Sequence, residues 1–383
     1  MPNRTGFGKF SLYVNHREYV SFRCCSTGKI VRGGGRLCSM ARIQLIHTYQ
    51  HIISVENLLS ALREFTKGKK QKKDVQQFSL RLMDNILKLH RDLADRTYVH
   101  GDYHAFNISD PKPRNIHKAL VRDRLVHHAI YRVLCPFFDR TFISDSYSCR
   151  LYKGTHRALN RFRDFGQKVS KNNTRTCWVL KCDVRKFFAS IDHGVLFAIL
   201  EQYIPDKDIL WLLTRVIDSF HSTRFGVGLP LGNLTSQLLV NIYMNEFDQY
   251  MKHRLKAKHY IRYADDFVIL SNDKKRLENI LIEISDFLQV KLRLNLHPDK
   301  VFIKTFASGV DFLGWVHFSD HRVLRTSTKK RMFKRLAEGE VSETTILSYL
   351  GMLSHGNGMG LQEMITGLSG LNLAGGGMSD SKT

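Results

Sequence analysis

Residues 260–270, "YIRYADDFVIL", set two adjacent carboxylates, Asp265 and Asp266, inside an apolar, aromatic run. Strands are poor in Asp, and neighbouring like charges repel one another. Tyr260–Tyr263 and Phe267–Leu270 read as two short strands, which puts the pair at the crown of a tight hairpin. Two readings are open here. Asp suits solvated turns. A hard divalent cation such as Mg²⁺ also wants carboxylate oxygens, and it cancels their repulsion. The second reading needs a further carboxylate from elsewhere in the chain.

The stretch 179–192, "VLKCDVRKFFASID", offers one. Asp183 ends an apolar run, "TCWVLKCDV" (176–184), that reads as a buried strand. Enough chain separates it from the hairpin for a strand–helix–hairpin layout, in which adjacent antiparallel strands bring Asp183 against Asp265. Three carboxylates at one point of a sheet suit two Mg²⁺ ions, with Mn²⁺ as the alternative. A plainer role is also open: Asp183 as the cap of the helix that follows.

Composition bounds the partners. The 383 residues are 43% hydrophobic, ample for a large core and for two or three domains. Lys and Arg number 59 against 35 Asp and Glu, a formal charge of +24. Spread over the whole length, this excess points to a polyanion partner, the alternative being solvated lysine faces. The 7 cysteines include no C-x-x-C pair, which fits neither a zinc knuckle nor a disulfide framework and agrees with a reducing cytoplasm. No run reaches the ~20 apolar residues of a membrane span, and no secretory h-region opens the chain, so no membrane partner is expected.

Along the chain, residues 1–39 carry a Gly-rich basic stretch without apolar period and read as a flexible or non-native extension, with Met40 opening the functional core. An amphipathic helix is predicted from Met40 through Phe65, and a second over Gln76–Leu93. Residues 98–120, with a Pro-Lys-Pro break, read as a β-hairpin. Helices are predicted over Val121–Phe137 and Thr155–Phe165, then over 193–203, 206–219, 234–252 and 273–289. Short strands run through "DFLGWVHF" (311–318), residues 326–367 read as helical and basic, and 368–383 as a disordered tail.

A series of blocks in order along the chain gives a resemblance. Asp183 and "YADD" (263–266) resemble the two catalytic-aspartate motifs of reverse transcriptases. "PKPRNIHKALVRDRLVHHA" (111–129), "DSYSCRLYKGTHRAL" (145–159) and "GLPLGNLTSQLLVNIYMNEFD" (228–248) resemble further blocks before the catalytic box, and "LNLHPDKV" (294–301) and "DFLGW" (311–315) the two after it. The resemblance covers roughly residues 45–360. It implies an α/β (α+β) right-hand polymerase: N-terminal helices and fingers over 40–175, a ferredoxin-like palm over 176–320, and a short basic helical thumb over 321–367. It implies an RNA-directed DNA polymerase using template RNA, a primer or cDNA strand and dNTPs, in a bacterial or phage-encoded, cytoplasmic setting.

Residue by residue, the resemblance implies Asp183, Asp265 and Asp266 as catalytic, and the same three with the Val184 backbone as metal ligands. Arg114, then Lys112, would hold the triphosphate; Arg suits this because its planar fork binds phosphate oxygens bidentately. Phe188 would lie under the sugar and exclude a 2′-hydroxyl; Phe187 beside it means that one of the two faces inward for packing alone. Leu231, Gly232 and Gln237 would border the nascent base pair, and Lys300 would protonate the leaving pyrophosphate. Tyr263, Lys153 and Arg150 would contact primer–template.

The block "PLGNLTSQ" (230–237) carries Leu231 where intron-type enzymes have Gln, and Gln237 where they have Pro. This pattern resembles the reverse transcriptases of diversity-generating retroelements, which misincorporate mainly opposite template adenines in mutagenic retrohoming. Leu fills a similar volume but offers no donor or acceptor, and a site that reads polar groups discriminates better than one relying on apolar shape. The resemblance also implies a small basic accessory variability protein as partner. With about 60 residues after residue 320, a short helical thumb is expected, and a maturase-plus-endonuclease protein is the less expected reading. Retron, phage-defence and group II intron-like enzymes are the alternatives within the superfamily. A catalytically silent RNA-binding scaffold is the alternative outside catalysis.

Overall fold

The computed structural model describes residues 42–109, 113–337 and 341–369. The predicted extension at 1–39 and all but the first two residues of the predicted tail lie outside them. The chain forms two compact units, each assembled from separated stretches.

The first unit takes residues up to Phe137, with Leu196–Phe220 and Leu231–Ser236. Its opening helix starts at Tyr49, not at Met40. Residues 42–48 run non-helically because the Leu45 N–H donates to the Tyr203 carbonyl at 2.8 Å and Arg42 covers the Tyr203 ring, a tertiary claim on backbone that helical period alone does not reveal. Ser54 then breaks the run and caps Val55–Thr66, its hydroxyl accepting from the Asn57 N–H. The helix expected over Gln76–Leu93 is two, Lys73–Ser79 and Leu82–Ala94. The Asn85 side chain donates to the freed Phe78 carbonyl at 2.8 Å. Leu58, Phe65, Ile86, Leu89, Leu125 and Leu212 make the core.

The hairpin predicted over 98–120 is present: β1 (His104–Ile108) pairs antiparallel with β2 (Arg114–Lys118), from His104↔Lys118 to Ile108↔Arg114. Segment 231–233 lies against it. The His117 N–H donates to the Leu231 carbonyl, and the Asn233 side chain donates to the His117 carbonyl. Gly232 has φ +100°, and a Cβ there would stand 2.9 Å from Ile116 Cγ2. Only glycine accepts both conditions.

The second unit holds a four-stranded antiparallel sheet of β3 (Trp178–Asp183), β4 (Tyr260–Tyr263), β5 (Asp266–Ser271) and β6 (Phe302–Thr305), in spatial order β4-β5-β3-β6. Helices fall between β3 and β4 and again between β5 and β6, so the chain runs β-α-β-β-α-β. Side chains alternate across the sheet. Val179, Val268 and Leu270 face helix Thr155–Ser170 and join Phe162, Phe306, Phe312 and Trp315 in one core. Tyr260 and Phe267 meet Phe247 of helix Leu234–Gln249, which also touches Phe287 of helix Lys274–Leu292. Gly166 lets helix and sheet approach, since a Cβ there would strike the Phe306 ring at 2.6 Å.

A second sheet joins β7 (Val310–Phe312), β8 (Trp315–His317) and β9 (Arg322–Leu324). Helices Thr326–Ala337, Glu343–Leu353 and Met359–Ser369 follow, the predicted helical end of the chain. No helix among the described residues is long and apolar enough to cross a membrane.

Candidate active site

The acidic corner is built by β3 and the β4–β5 hairpin. Tyr263↔Asp266 closes the hairpin, leaving Ala264 and Asp265 as its two turn residues. Asp183 is the cross-strand partner of Asp266, a pairing that sets Cα atoms about 5 Å apart. The Val184 N–H donates to the Asp265 carbonyl at 3.2 Å, tying the strand end to the turn. The sequence thus brings all three predicted aspartates to one corner of the sheet.

Ala264 has φ +56°, a left-handed value normally given to glycine at this place in a two-residue turn. That costs about 1–2 kcal/mol. Arg262 offsets it: its Nη1 donates to the Ala264 carbonyl at 3.1 Å. The Arg262 fork grips Asp248 of helix Leu234–Gln249 at 2.8 and 2.7 Å, and both residues are fully buried. Tyr260 donates to the same carboxylate, and Asn241 and Ser146 take the remaining guanidinium donors. Every polar group of this buried pair has a partner, the condition under which such a pair holds structure. Sequence reasoning passed over it; the signal was an arginine inside the apolar strand "YIRY".

Lys181 is a second omission. It stands on the Asp183 face of β3, one pleat further in, and is 9% exposed. Its ammonium lies 3.4 Å from Asp266 Oδ2. Asp266 Oδ1 is buried without a hydrogen-bond partner. Burial pushes the Asp266 carboxyl up to about 7; Lys181 opposes the rise, and Asp183 and Asp265 add to it. Lys300 donates to Asp183 Oδ1 at 3.1 Å from the turn Pro298–Lys300, and the His297 N–H donates to the Asp183 carbonyl at 2.7 Å. Among the described residues no three acidic, His or Cys side chains already converge as a ready metal cage. Asp183 and Asp266 each meet a lysine, Lys300 and Lys181 respectively.

The other predicted residues are distributed as follows. Phe187 is buried and Phe188 half-exposed, with the Phe188 carbonyl accepting from the Leu229 N–H, so Phe187 is the packing member of the pair. The Tyr263 hydroxyl accepts from Thr155 Oγ1 at 3.1 Å. Gln237 is half-buried, and its carbonyl accepts from the Asn241 side chain. Lys153 donates to the Ser144 carbonyl at 2.7 Å and covers the Tyr147 ring. Arg150 differs from an open primer–template contact. Its side chain is 6% exposed, and the fork is spent on the Asp139 carboxylate and on the Ile143, Ser146 and Asp139 carbonyls. In the first unit, Arg114 is exposed at the start of β2, and Leu231 and Gly232 lie against that hairpin. Lys112 lies outside the described residues.

The family described as "Reverse transcriptase (RNA-dependent DNA polymerase)" matches residues 109–317, more than half of the chain. The chain is 29% identical over 258 residues to Protein YkfC of Escherichia coli (strain K12), covering 58% of this chain and 66% of that protein. It is 24% identical over 334 residues to the group II intron-encoded protein LtrA of Lactococcus lactis subsp. cremoris, covering 67% of this chain and 53% of that protein. The chain thus spans between half and two thirds of the length of these relatives. A solved structure of apo telomerase from Candida Tropicalis, truncated from the C-terminal domain, aligns with a TM-score of 0.46 at 13% identity, over 60% of this chain and 55% of that one.

Proposed function

Because the chain belongs to the reverse transcriptase (RNA-dependent DNA polymerase) family, we propose that it copies a template RNA into DNA from dNTPs, with Asp183, Asp265 and Asp266 as its catalytic carboxylates. The cross-strand pairing of Asp183 with Asp266 beside the Asp265 turn carries this reading. Enzymes of this family use divalent metal ions. The corner fits such ions: it holds a buried carboxylate oxygen without a partner, and a carboxyl that burial and two neighbouring acids drive up to about 7. Asp183, Asp265, Asp266 and the Val184 backbone would hold two Mg²⁺, which supply activation of a primer 3′-hydroxyl and neutralisation of the triphosphate.

The chain's own residues do the rest. Lys300, whose ammonium donates to Asp183 Oδ1, would protonate the leaving pyrophosphate. Phe188, half-exposed beside its buried neighbour, is the member free to meet a sugar, which favours dNTPs over rNTPs. Arg114 supplies an exposed bidentate fork for the triphosphate, with Lys112 as second cation. Tyr263, its hydroxyl held by Thr155, packs toward the primer end.

Within the family, the reading we favour is the diversity-generating type, which is error-prone opposite template adenines and works with a small basic accessory protein. Leu231 and Gln237 in "PLGNLTSQ" support it. A group II intron-like enzyme is the second reading, and the likeness to LtrA supports it. Primer extension on poly(rA)–oligo(dT) with Mg²⁺ tests the activity; a folded chain that incorporates no dNTP contradicts it. The error spectrum on a mixed-sequence RNA separates the two types: excess misincorporation opposite adenine is expected of the first, and an even spectrum of the second.

A further inference from the structure

A concentration of basic side chains away from the catalytic corner lies at the other end of the same hairpin. β5 runs from Asp266 to Ser271, so at ~3.3 Å per residue its far end stands about 16 Å behind the corner. There the end of helix Thr155–Ser170, the turn leading into β4 and the start of helix Lys274–Leu292 frame a cavity of about 270 Å³. Lys168, Lys171, Arg175, Lys256, Lys258 and Arg276 line it, and no Asp or Glu does. All six are exposed, and none forms an ion pair among the described residues.

A solvated cationic face is the ordinary account of surface lysines. Here the six come from three separate segments and converge on one concavity, so their mutual repulsion is built in by the fold. Lys171 and Lys256 hold φ +49° and +51°, a region that glycine or asparagine fills at lower strain. His259 in the cavity lining is held below its ordinary range by burial first, then by Lys258, Lys252, Lys168 and Arg161, which agrees with a strongly positive field. Concentrated positive charge without counter-charge is the footprint of phosphate recognition.

We propose that this cavity binds backbone phosphates of a nucleic-acid strand, at a site separate from the primer–template track. The inference rests on charge and shape and stands independently of the polymerase reading, so its test omits primer and dNTP. Filter binding of an unstructured RNA strand, and of a DNA strand of the same sequence, is measured across a salt series. The variant K171Q/R175Q/R276Q is compared with R63Q/K88Q/R91Q, which removes the same charge from exposed positions elsewhere.

The cavity variant should flatten the slope of log K against log salt by about 2, at ~0.7 per single-strand phosphate, for both strands. The control should stay near the unmodified protein. Extension of poly(rA)–oligo(dT) at saturating template should be unchanged in the cavity variant. Equal weakening in variant and control would show diffuse charge and overturn the proposal. Loss of extension together with binding would make the cavity part of the template track and overturn its separateness. Loss in the RNA arm alone would show sugar recognition and overturn the phosphate assignment. Melting temperatures verify folding; should the triple variant melt early, K171Q and R276Q singly, each expected to lower the slope by about 0.7, carry the same test.

Discussion

At the scale of single residues, the corner depends on a side chain that does no chemistry. Arg262 joins the strained Ala264 turn to Asp248 inside the core. Removing one member of a buried pair leaves an uncompensated charge, a loss of about 3–5 kcal/mol. Arg262→Ala should therefore lower the free energy of chemical unfolding by that amount; a change under about 1 kcal/mol would show that the pair is dispensable. Arg262→Lys keeps a charge but not the planar fork, so it should recover part of the stability while extension stays depressed. Leu231 sits at the other end of the argument, where subtype is decided. Leu231→Gln restores a hydrogen-bonding group and should reduce misincorporation opposite template adenine. An unaltered error spectrum on a sequenced product would remove Leu231 from the account of fidelity.

At the scale of elements, two buried histidines set an acid limit. His128, in helix Val121–Asp139, is pushed down to about 4 by burial first, then by Lys69, Arg124 and Arg132. His317, in β8 against the Phe162 ring, is pushed down to about 3 by burial, then by Arg322 and Arg163. The unfolded chain protonates both near their ordinary 6.5, whereas the folded chain refuses the proton until pH 4 or 3. At these two sites the unfolded state therefore binds more protons in that window, so their contribution to stability falls as pH drops from about 6.5 toward 4, opposed in part by Asp266, whose carboxyl, raised to about 7, takes up a proton first in the folded state. Urea midpoints across that range should decline, and His317→Leu should flatten the decline; a midpoint independent of pH would contradict the assignment.

What was legible in the sequence also divides by element. The β4–β5 hairpin, the β1–β2 hairpin and β3 announce themselves, because alternation and turn residues are local signals. The helix start at Tyr49 does not, since the backbone before it answers to a distant partner, Tyr203; nor does the break at Leu80–Arg81, where the Asn85 side chain takes the Phe78 carbonyl. The aspartates were readable as charges in an apolar run. Lys181 and Arg262 were equally visible as charges in strands, yet their roles depend on cross-strand register and on a helix partner that no local pattern specifies. Arg150 shows the converse: a cation in a promising block whose donors are consumed by its own loop.

At the scale of the whole molecule, the formal charge of +24 makes binding to any nucleic acid strongly salt-dependent, so binding alone is a poor witness to function. Chemistry at the corner is the sharper witness, because it needs Asp183 and the Asp265–Asp266 turn together. The most direct measurement is primer extension on poly(rA)–oligo(dT) with Mg²⁺, comparing the unmodified chain with Asp183→Asn at equal folded concentration. The account predicts dTTP incorporation by the former and a loss of about 10²–10³-fold or more in the latter, the scale on which a single charge-stabilising group acts, with melting temperature preserved. Incorporation by Asp183→Asn at the unmodified rate would contradict it.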